Sequence, residues 1–109
     1  MKYKLIVCDM DGTLLTSSHK ISDHTANIIK KIEDSGVKFM IATGRPYLDA
    51  RHYRDSLELR SYLITSNGAR AHDEDNNPIV VENIPKELVK RLLDYKVGKD
   101  IHRNIYLND

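Results

Sequence analysis

Tryptophan is absent from these 109 residues, and phenylalanine and cysteine occur once each. The lone Cys8 sits inside an apolar run. One thiol excludes a disulfide framework and a cysteine-rich zinc site, and a cysteine in such a run is expected to act as a small buried hydrophobe. There is no long hydrophobic stretch. The opening Met1-Lys2-Tyr3-Lys4-Leu5-Ile6-Val7-Cys8-Asp9 is far too short in its apolar part for a signal peptide or a membrane span. A cytoplasmic protein with no membrane partner is the expectation. Charge of one sign is also lacking: 17 basic residues against 16 acidic ones leave a net charge of +1. No electrostatic pull toward nucleic acid follows from that balance. Tyr3, Tyr53, Tyr62 and Tyr95 do not alternate with basic residues as a base-stacking platform would. No internal repeat, low-complexity tract or flexible linker interrupts the chain.

What is present is ordinary globular composition, 40% hydrophobic and 30% charged. Residues 3–8 form an apolar run ending at a carboxylate, the pattern of a strand buried on both faces of a parallel sheet. A helix is expected from Ser22 to Ser35, with Ser22 as its cap and Thr25, Ile28, Ile29 and Ile32 on one face. Gly36 is placed to end it. Val37 to Ala42 follows as a strand, and Pro46 opens a helix reaching about Leu57. Tyr62 to Thr65 is a third strand. This alternation implies an α/β, Rossmann-like parallel sheet, in which ligands sit outside the carboxyl ends of the strands. Asp9, Thr43 and Ser66-Asn67 all fall at such ends. Thereafter Ala69 to His72 and Ile79 to Val81 read as a β-hairpin with a polar tip at 73–78. An amphipathic helix opens at Pro85, carrying Leu88, Val89, Leu92 and Leu93, and residues 104–107 look like a further strand.

The chemistry is concentrated in Asp9-Met10-Asp11-Gly12-Thr13. In extended backbone, residues two apart point to the same side, so both carboxylates can address one site. Gly12 supplies the freedom for a tight turn whose N–H groups can cradle an anion. A carboxylate with a pKa near ~4 is ionised at neutral pH and is a competent nucleophile toward phosphorus. Mg²⁺ would cancel the repulsion between carboxylate and phosphate. A second carboxyl can protonate the leaving oxygen and then activate water, for which surroundings that raise its pKa are expected. Competing motifs fail on spacing. A calcium-binding EF-hand loop wants its glycine two places later, and neither a Walker phosphate loop nor a Rossmann glycine fingerprint occurs. A phosphorylated receiver domain would need an aspartate where Thr65-Ser66 stands.

Residues 5–15, Leu-Ile-Val-Cys-Asp-Met-Asp-Gly-Thr-Leu-Leu, resemble motif I of the haloacid dehalogenase (HAD) superfamily. Residues 39–45, Phe-Met-Ile-Ala-Thr-Gly-Arg, resemble its motif II. Residues 64–69, Ile-Thr-Ser-Asn-Gly-Ala, followed by a hairpin, are similar to its Cof-type branch of sugar-phosphate phosphatases. The resemblance implies that Asp9 is the nucleophile and a Mg²⁺ ligand, and that Asp11 is the acid/base and offers its backbone carbonyl to the metal. It implies that Met10 and Gly44, through backbone N–H, and Thr43, through its hydroxyl, hold phosphate, with Arg45 reaching the substrate and Asn67 lining the entry; taken alone, Thr43 also suits a helix cap, Arg45 a solvated surface and Asn67-Gly68 a simple turn. Small phosphorylated metabolites such as sugar phosphates are the implied substrates. Residues 1–83 would be the N-terminal part of the HAD core and 84–109 the beginning of an α+β cap domain.

The family's phosphate-binding lysine and its downstream Gly-Asp-x-x-Asn-Asp-like acidic motif are not among these residues. The expectation is therefore an N-terminal portion of a longer enzyme. Its alternative is a catalytically inactive module that binds Mg²⁺ or phosphate weakly, or associates with itself through the edge of Asp9's strand.

Elsewhere the residues point to less. The five histidines show no metal-ligand spacing, and exposed or partly packed roles are expected for them. Asp73-Glu74-Asp75 reads as a solvated hairpin tip, and the basic residues of Lys86-Lys90-Arg91 as a solvated helix face.

Overall fold

The structure, a computed structural model, describes residues 2–96 and 98–107. Its elements run β1 (Leu5–Cys8), α1 (Asp23–Asp34), β2 (Lys38–Ala42), α2 (Tyr47–Ser56), β3 (Leu63–Thr65), β4 (Arg70–His72), β5 (Pro78–Val81) and α3 (Lys86–Asp94). One five-stranded sheet has the order β1-β2-β3-β4-β5. β1, β2 and β3 are parallel, with Cys8 beside Ile41 and Ile41 beside Leu63. β4 and β5 add antiparallel, as expected for a hairpin. The α/β reading therefore holds, with a mixed rather than a wholly parallel sheet.

The local reasons are those that the residues suggest. The Ser22 hydroxyl oxygen accepts the Thr25 N–H at 3.1 Å and caps α1. The Glu33 carboxylate accepts the backbone N–H of Phe39, tying the end of α1 to the start of β2. Phe39, Ile41 and Leu63 share one core with Ile29 of α1 and Tyr47 and Ala50 of α2. Both helices therefore cover the same face of the sheet.

That arrangement overturns the doubly buried first strand. Leu5 and Val7 are about half exposed. Among the described residues β1 ends the sheet order and pairs only with β2, and no core element covers the face carrying Leu5 and Val7. Its hydrophobic run is real, but burial is decided by neighbours that a run cannot specify. Cys8 is correspondingly only half-buried, and burial, with Asp9 adding, pushes its thiol pKa up. Ile28 is likewise exposed despite lying on the apolar stripe of α1.

Two further corrections concern the later chain. Residues 104–107 form no strand. The guanidinium of Arg103 there caps α3, donating to the carbonyls of Leu92 (3.0 Å) and Tyr95 (3.2 Å). His72 is buried rather than exposed or partly packed, with its ring stacked on Tyr47 at 3.6 Å between centroids.

The hairpin tip is organised by Asp73. Its Oδ1 accepts the N–H groups of Asp75 (2.9 Å) and Asn77 (2.8 Å), and its Oδ2 accepts from the Asn77 side chain (3.1 Å). These bonds, the Asn77 backbone N–H first, hold the Asp73 pKa below its ordinary value. A depressed folded-state pKa adds stability that is present above the ordinary value and is lost as pH falls through the folded one. The Asn77 amide resonance is accordingly expected to titrate with a midpoint below the usual ~3.9 of aspartate. A midpoint at or above that value would contradict the assignment, and Asp73→Ala should abolish the titration.

Candidate active site

Asp9 ends β1, where the chain leaves the sheet and enters a wide turn over Met10–Leu14. The turn is closed by the Leu15 N–H donating to the Met10 carbonyl at 3.0 Å. Gly12 takes φ +76° there, a left-handed conformation that costs glycine little. The Met10 side chain is fully buried and anchors the turn to the core, as are Leu14 and Leu15 nearly so. The Asp9 carboxylate stays exposed, and its Oδ1 accepts the Met10 N–H at 2.8 Å. The N–H assigned to phosphate thus has an internal partner in this state.

The loops after β2 and β3 are laced together beside Asp9. Ser66 N–H donates to the Arg45 carbonyl (2.9 Å) and Asn67 N–H to the Thr43 carbonyl (3.2 Å). Thr43 is buried, and its Oγ1 accepts the Arg45 N–H at 3.1 Å, which leaves its own hydroxyl proton to donate outward. Asp9, Thr43, Gly44, Asn67 and Gly68 line one open depression of about 290 Å³ at the carboxyl ends of β1, β2 and β3. The fold therefore brings Asp9, Thr43 and Asn67 together, as their strand-end positions predict, and Gly44 with them.

Space beside Gly44 is tight. A Cβ there would lie 2.8 Å from Asn67 Oδ1. Since that atom ends an exposed side chain, it can swing away. Gly44→Ala should cost less than about 1 kcal/mol in a urea melt while shifting the Asn67 side-chain amide resonances. A larger loss of stability would mean that the backbone, not the amide, gives way.

Asp11 is placed differently from expectation. Arg45 grips its carboxylate with two bonds of 2.7 Å, Nε to Oδ2 and Nη2 to Oδ1, and His19 Nδ1 lies 3.4 Å from Oδ1. The Arg45 hydrogen bond is the main reason that the Asp11 pKa is lowered. The raised pKa expected of an acid/base group is therefore not found in this state, because its partner is a cation rather than an apolar wall. Arg45, in turn, is held more firmly protonated by Asp11.

Two neighbours of the site escape sequence reasoning. His19 and Tyr53 reach Asp11 and Arg45 only through tertiary folding, and no spacing signal marks either.

The donor set is one of hard oxygens. Among the described residues no group of three or more histidine, cysteine, aspartate or glutamate side chains is placed to hold a metal. Of the two carboxylates only Asp9 lines the depression, and Mg²⁺ can take a single protein carboxylate and complete its shell with other oxygens, water and substrate among them.

With this geometry in view, residues 6–109 match the model of the haloacid dehalogenase-like hydrolase family, and the chain belongs to that family. It is 44% identical over 102 residues to the HMP-PP phosphatase of Yersinia pestis (strain Pestoides F), covering 92% of this chain and 37% of that protein. A Buchnera aphidicola protein provisionally named a phosphatase is 37% identical over 108 residues, 98% of this chain and 40% of its own. The chain thus spans about two fifths of the length of these relatives.

Among solved structures, a haloacid dehalogenase-like hydrolase from Bacteroides thetaiotaomicron superposes with a TM-score of 0.78 at 29% identity, over 85% of this chain and 36% of that one. A haloacid dehalogenase-like hydrolase from B. subtilis superposes with a TM-score of 0.74 at 32% identity, over 83% of this chain and 32% of its own.

Proposed function

We propose that this chain carries the nucleophile-bearing part of a Mg²⁺-dependent phosphomonoester hydrolase acting on small phosphorylated metabolites such as sugar phosphates. The observation that carries the reading is the exposed Asp9 carboxylate facing a depression lined by Thr43 and Gly44. In this reading an Asp9 oxygen attacks phosphorus, the bond to the leaving oxygen breaks, and an aspartyl-phosphate forms. Asp11 delivers a proton to the leaving oxygen, then accepts one from the water that releases phosphate. Thr43 Oγ1 and the N–H groups of Gly44 and Met10 donate to phosphate oxygens. Arg45 and Asn67 reach toward the rest of the substrate.

Asp9 and Asp11 would hold Mg²⁺, which supplies charge neutralisation and fixed orientation for the phosphate oxygens. While Arg45 grips it, Asp11 is ionised and suited to accept a proton. The Arg45 fork fixes the orientation of Asp11 for that step. Residues 1–83 are read as the core part and 84–109 as the start of a cap. The exposed Leu88, Leu92 and Leu93 of α3 support that division, as an apolar face for a cap to bury. A cytoplasmic location accords with the absence, among the described residues, of any helix long and apolar enough to cross a membrane.

The test is hydrolysis of an aryl phosphate with Mg²⁺, coupled to hydroxylamine capture of an acyl phosphate mapped to Asp9. Hydrolysis without capture at Asp9 would sink the covalent route.

A second reading, self-association without catalysis, draws on the open edge and half-exposed Leu5 and Val7 of β1. Sedimentation independent of concentration would remove it.

A further inference from the structure

Asp11, Arg45, Tyr53 and His19 lie on four separate segments: the turn after β1, the loop after β2, α2, and the turn at residues 16–20. Arg45 forks onto Asp11 through two bonds of 2.7 Å. The Arg45 guanidinium carbon stands 5.3 Å from the centre of the Tyr53 ring. The Tyr53 hydroxyl donates to the His19 carbonyl at 2.8 Å. His19 Nδ1 then returns to Asp11 Oδ1 at 3.4 Å.

Each contact alone is a modest surface interaction. Closed into a ring, they constrain one another, because Arg45 and Tyr53 cannot turn without breaking two links and the His19 backbone fixes where its imidazole meets Asp11. The position of His19 is unusual in itself. It takes φ +57°, a conformation that side-chain-bearing residues seldom adopt. Three bonds within its turn hold it there: His19 N–H to the Thr16 carbonyl (2.9 Å), Thr16 N–H to the Lys20 carbonyl (2.8 Å) and Lys20 N–H to Thr16 Oγ1 (3.2 Å). Tyr53 is seated from the other side, half-buried against the hydrophobic core. A surface arginine–carboxylate pair left to itself samples several geometries. Here both partners are braced, the arginine by an aromatic face and the carboxylate by a histidine on a locked turn.

We propose that Tyr53 and His19 are positioning residues that close the circuit Asp11–Arg45–Tyr53–His19 and so hold the Asp11 carboxylate in a single rotamer. The catalytic consequence rests on the reading of Asp11 as the acid/base group; the existence of the circuit does not. Tyr53 touches Arg45 rather than substrate, and His19 touches Asp11, so both act through other residues.

Tyr53→Phe keeps the ring beneath Arg45 and removes only the hydroxyl link to His19. His19→Ala keeps the carbonyl that Tyr53 uses and removes only the link to Asp11. The first readout is solvent exchange of the Arg45 Nε–H, a proton that neither variant touches directly. Each single variant should speed that exchange about threefold or more, as the loss of one hydrogen bond does. The double variant should be no faster than the faster single, since one break already opens a ring. Unchanged exchange in both singles, or effects that multiply in the double, would overturn the circuit. The second readout is kinetic: kcat for an aryl phosphate should fall about three- to tenfold in each single variant with KM within about twofold. A changed KM at constant kcat would overturn the positioning role. Absence of turnover in the unmodified chain would count against the proposed hydrolysis, while the exchange pattern would still decide the circuit.

Discussion

Asp9→Asn is expected to remove at least about 10⁴ of the rate of phosphomonoester hydrolysis, the scale seen when a covalent nucleophile is deleted. The fold should survive intact. Asp9 Oδ1 accepts the Met10 N–H at 2.8 Å, and an asparagine presents a carbonyl oxygen at the same place. The wide turn over Met10–Leu14 is held by the buried Met10 and Leu14, which the substitution leaves alone. The variant therefore separates chemistry from folding. A thermal melt like that of the unmodified chain, with turnover gone and no acyl phosphate captured, is the expected pair of results. Turnover that persists within tenfold would assign the nucleophile elsewhere.

The second large effect concerns stability. Arg54→Met should lower the stability of the chain by about 3 kcal/mol, a large part of what a small domain has. Arg54 is 1% exposed. Its Nη1 donates to the carbonyls of Ser61 (3.1 Å) and Asp73 (3.3 Å), and its Nη2 to Asn76 Oδ1. The Tyr47 hydroxyl donates to the same Asn76 oxygen at 2.7 Å. One guanidinium thus joins α2, the approach to β3 and the hairpin tip. Methionine fills most of the volume but leaves these acceptors without their donors.

Arg51 provides the control, one turn away on the same helix. It makes an exposed pair with Asp55 at 3.2 Å. Arg51→Met is expected to cost less than about 0.5 kcal/mol. Urea midpoints compare the two directly, and equal shifts would refute the structural role of Arg54.

Much of this protein was readable before its fold. The alternation of apolar runs with a capped amphipathic helix foretold β1 through β3, because those patterns reflect backbone geometry that local residues set. The hairpin at 70–81 followed from two short runs around a polar tip. The gathering of Asp9, Thr43 and Asn67 followed from one rule, that parallel strands deliver their carboxyl ends to a common edge.

The reading failed where the outcome depended on what lies beyond the segment. Residues 104–107 have the composition of a strand but no partner ladder, and Arg103 beside them caps α3 instead. The run at 5–8 has the hydrophobicity of a strand covered on both faces, and its open edge was expected, yet Leu5 and Val7 stand half exposed on one face.

By itself, then, the sequence determined the α/β class and the family, since those follow from local pattern and from a specific motif. Only the tertiary structure decided the state of Asp11. Whether that carboxyl is raised or lowered depends on which charge folding sets beside it, and folding sets Arg45 there. The same holds for the two arginines of α2. Arg51 and Arg54 are chemically identical in the sequence, but one faces water and the other the carbonyls of distant loops. Local pattern carries the chemistry that a residue brings. Distance and dielectric, which only the packed chain supplies, decide how that chemistry is tuned.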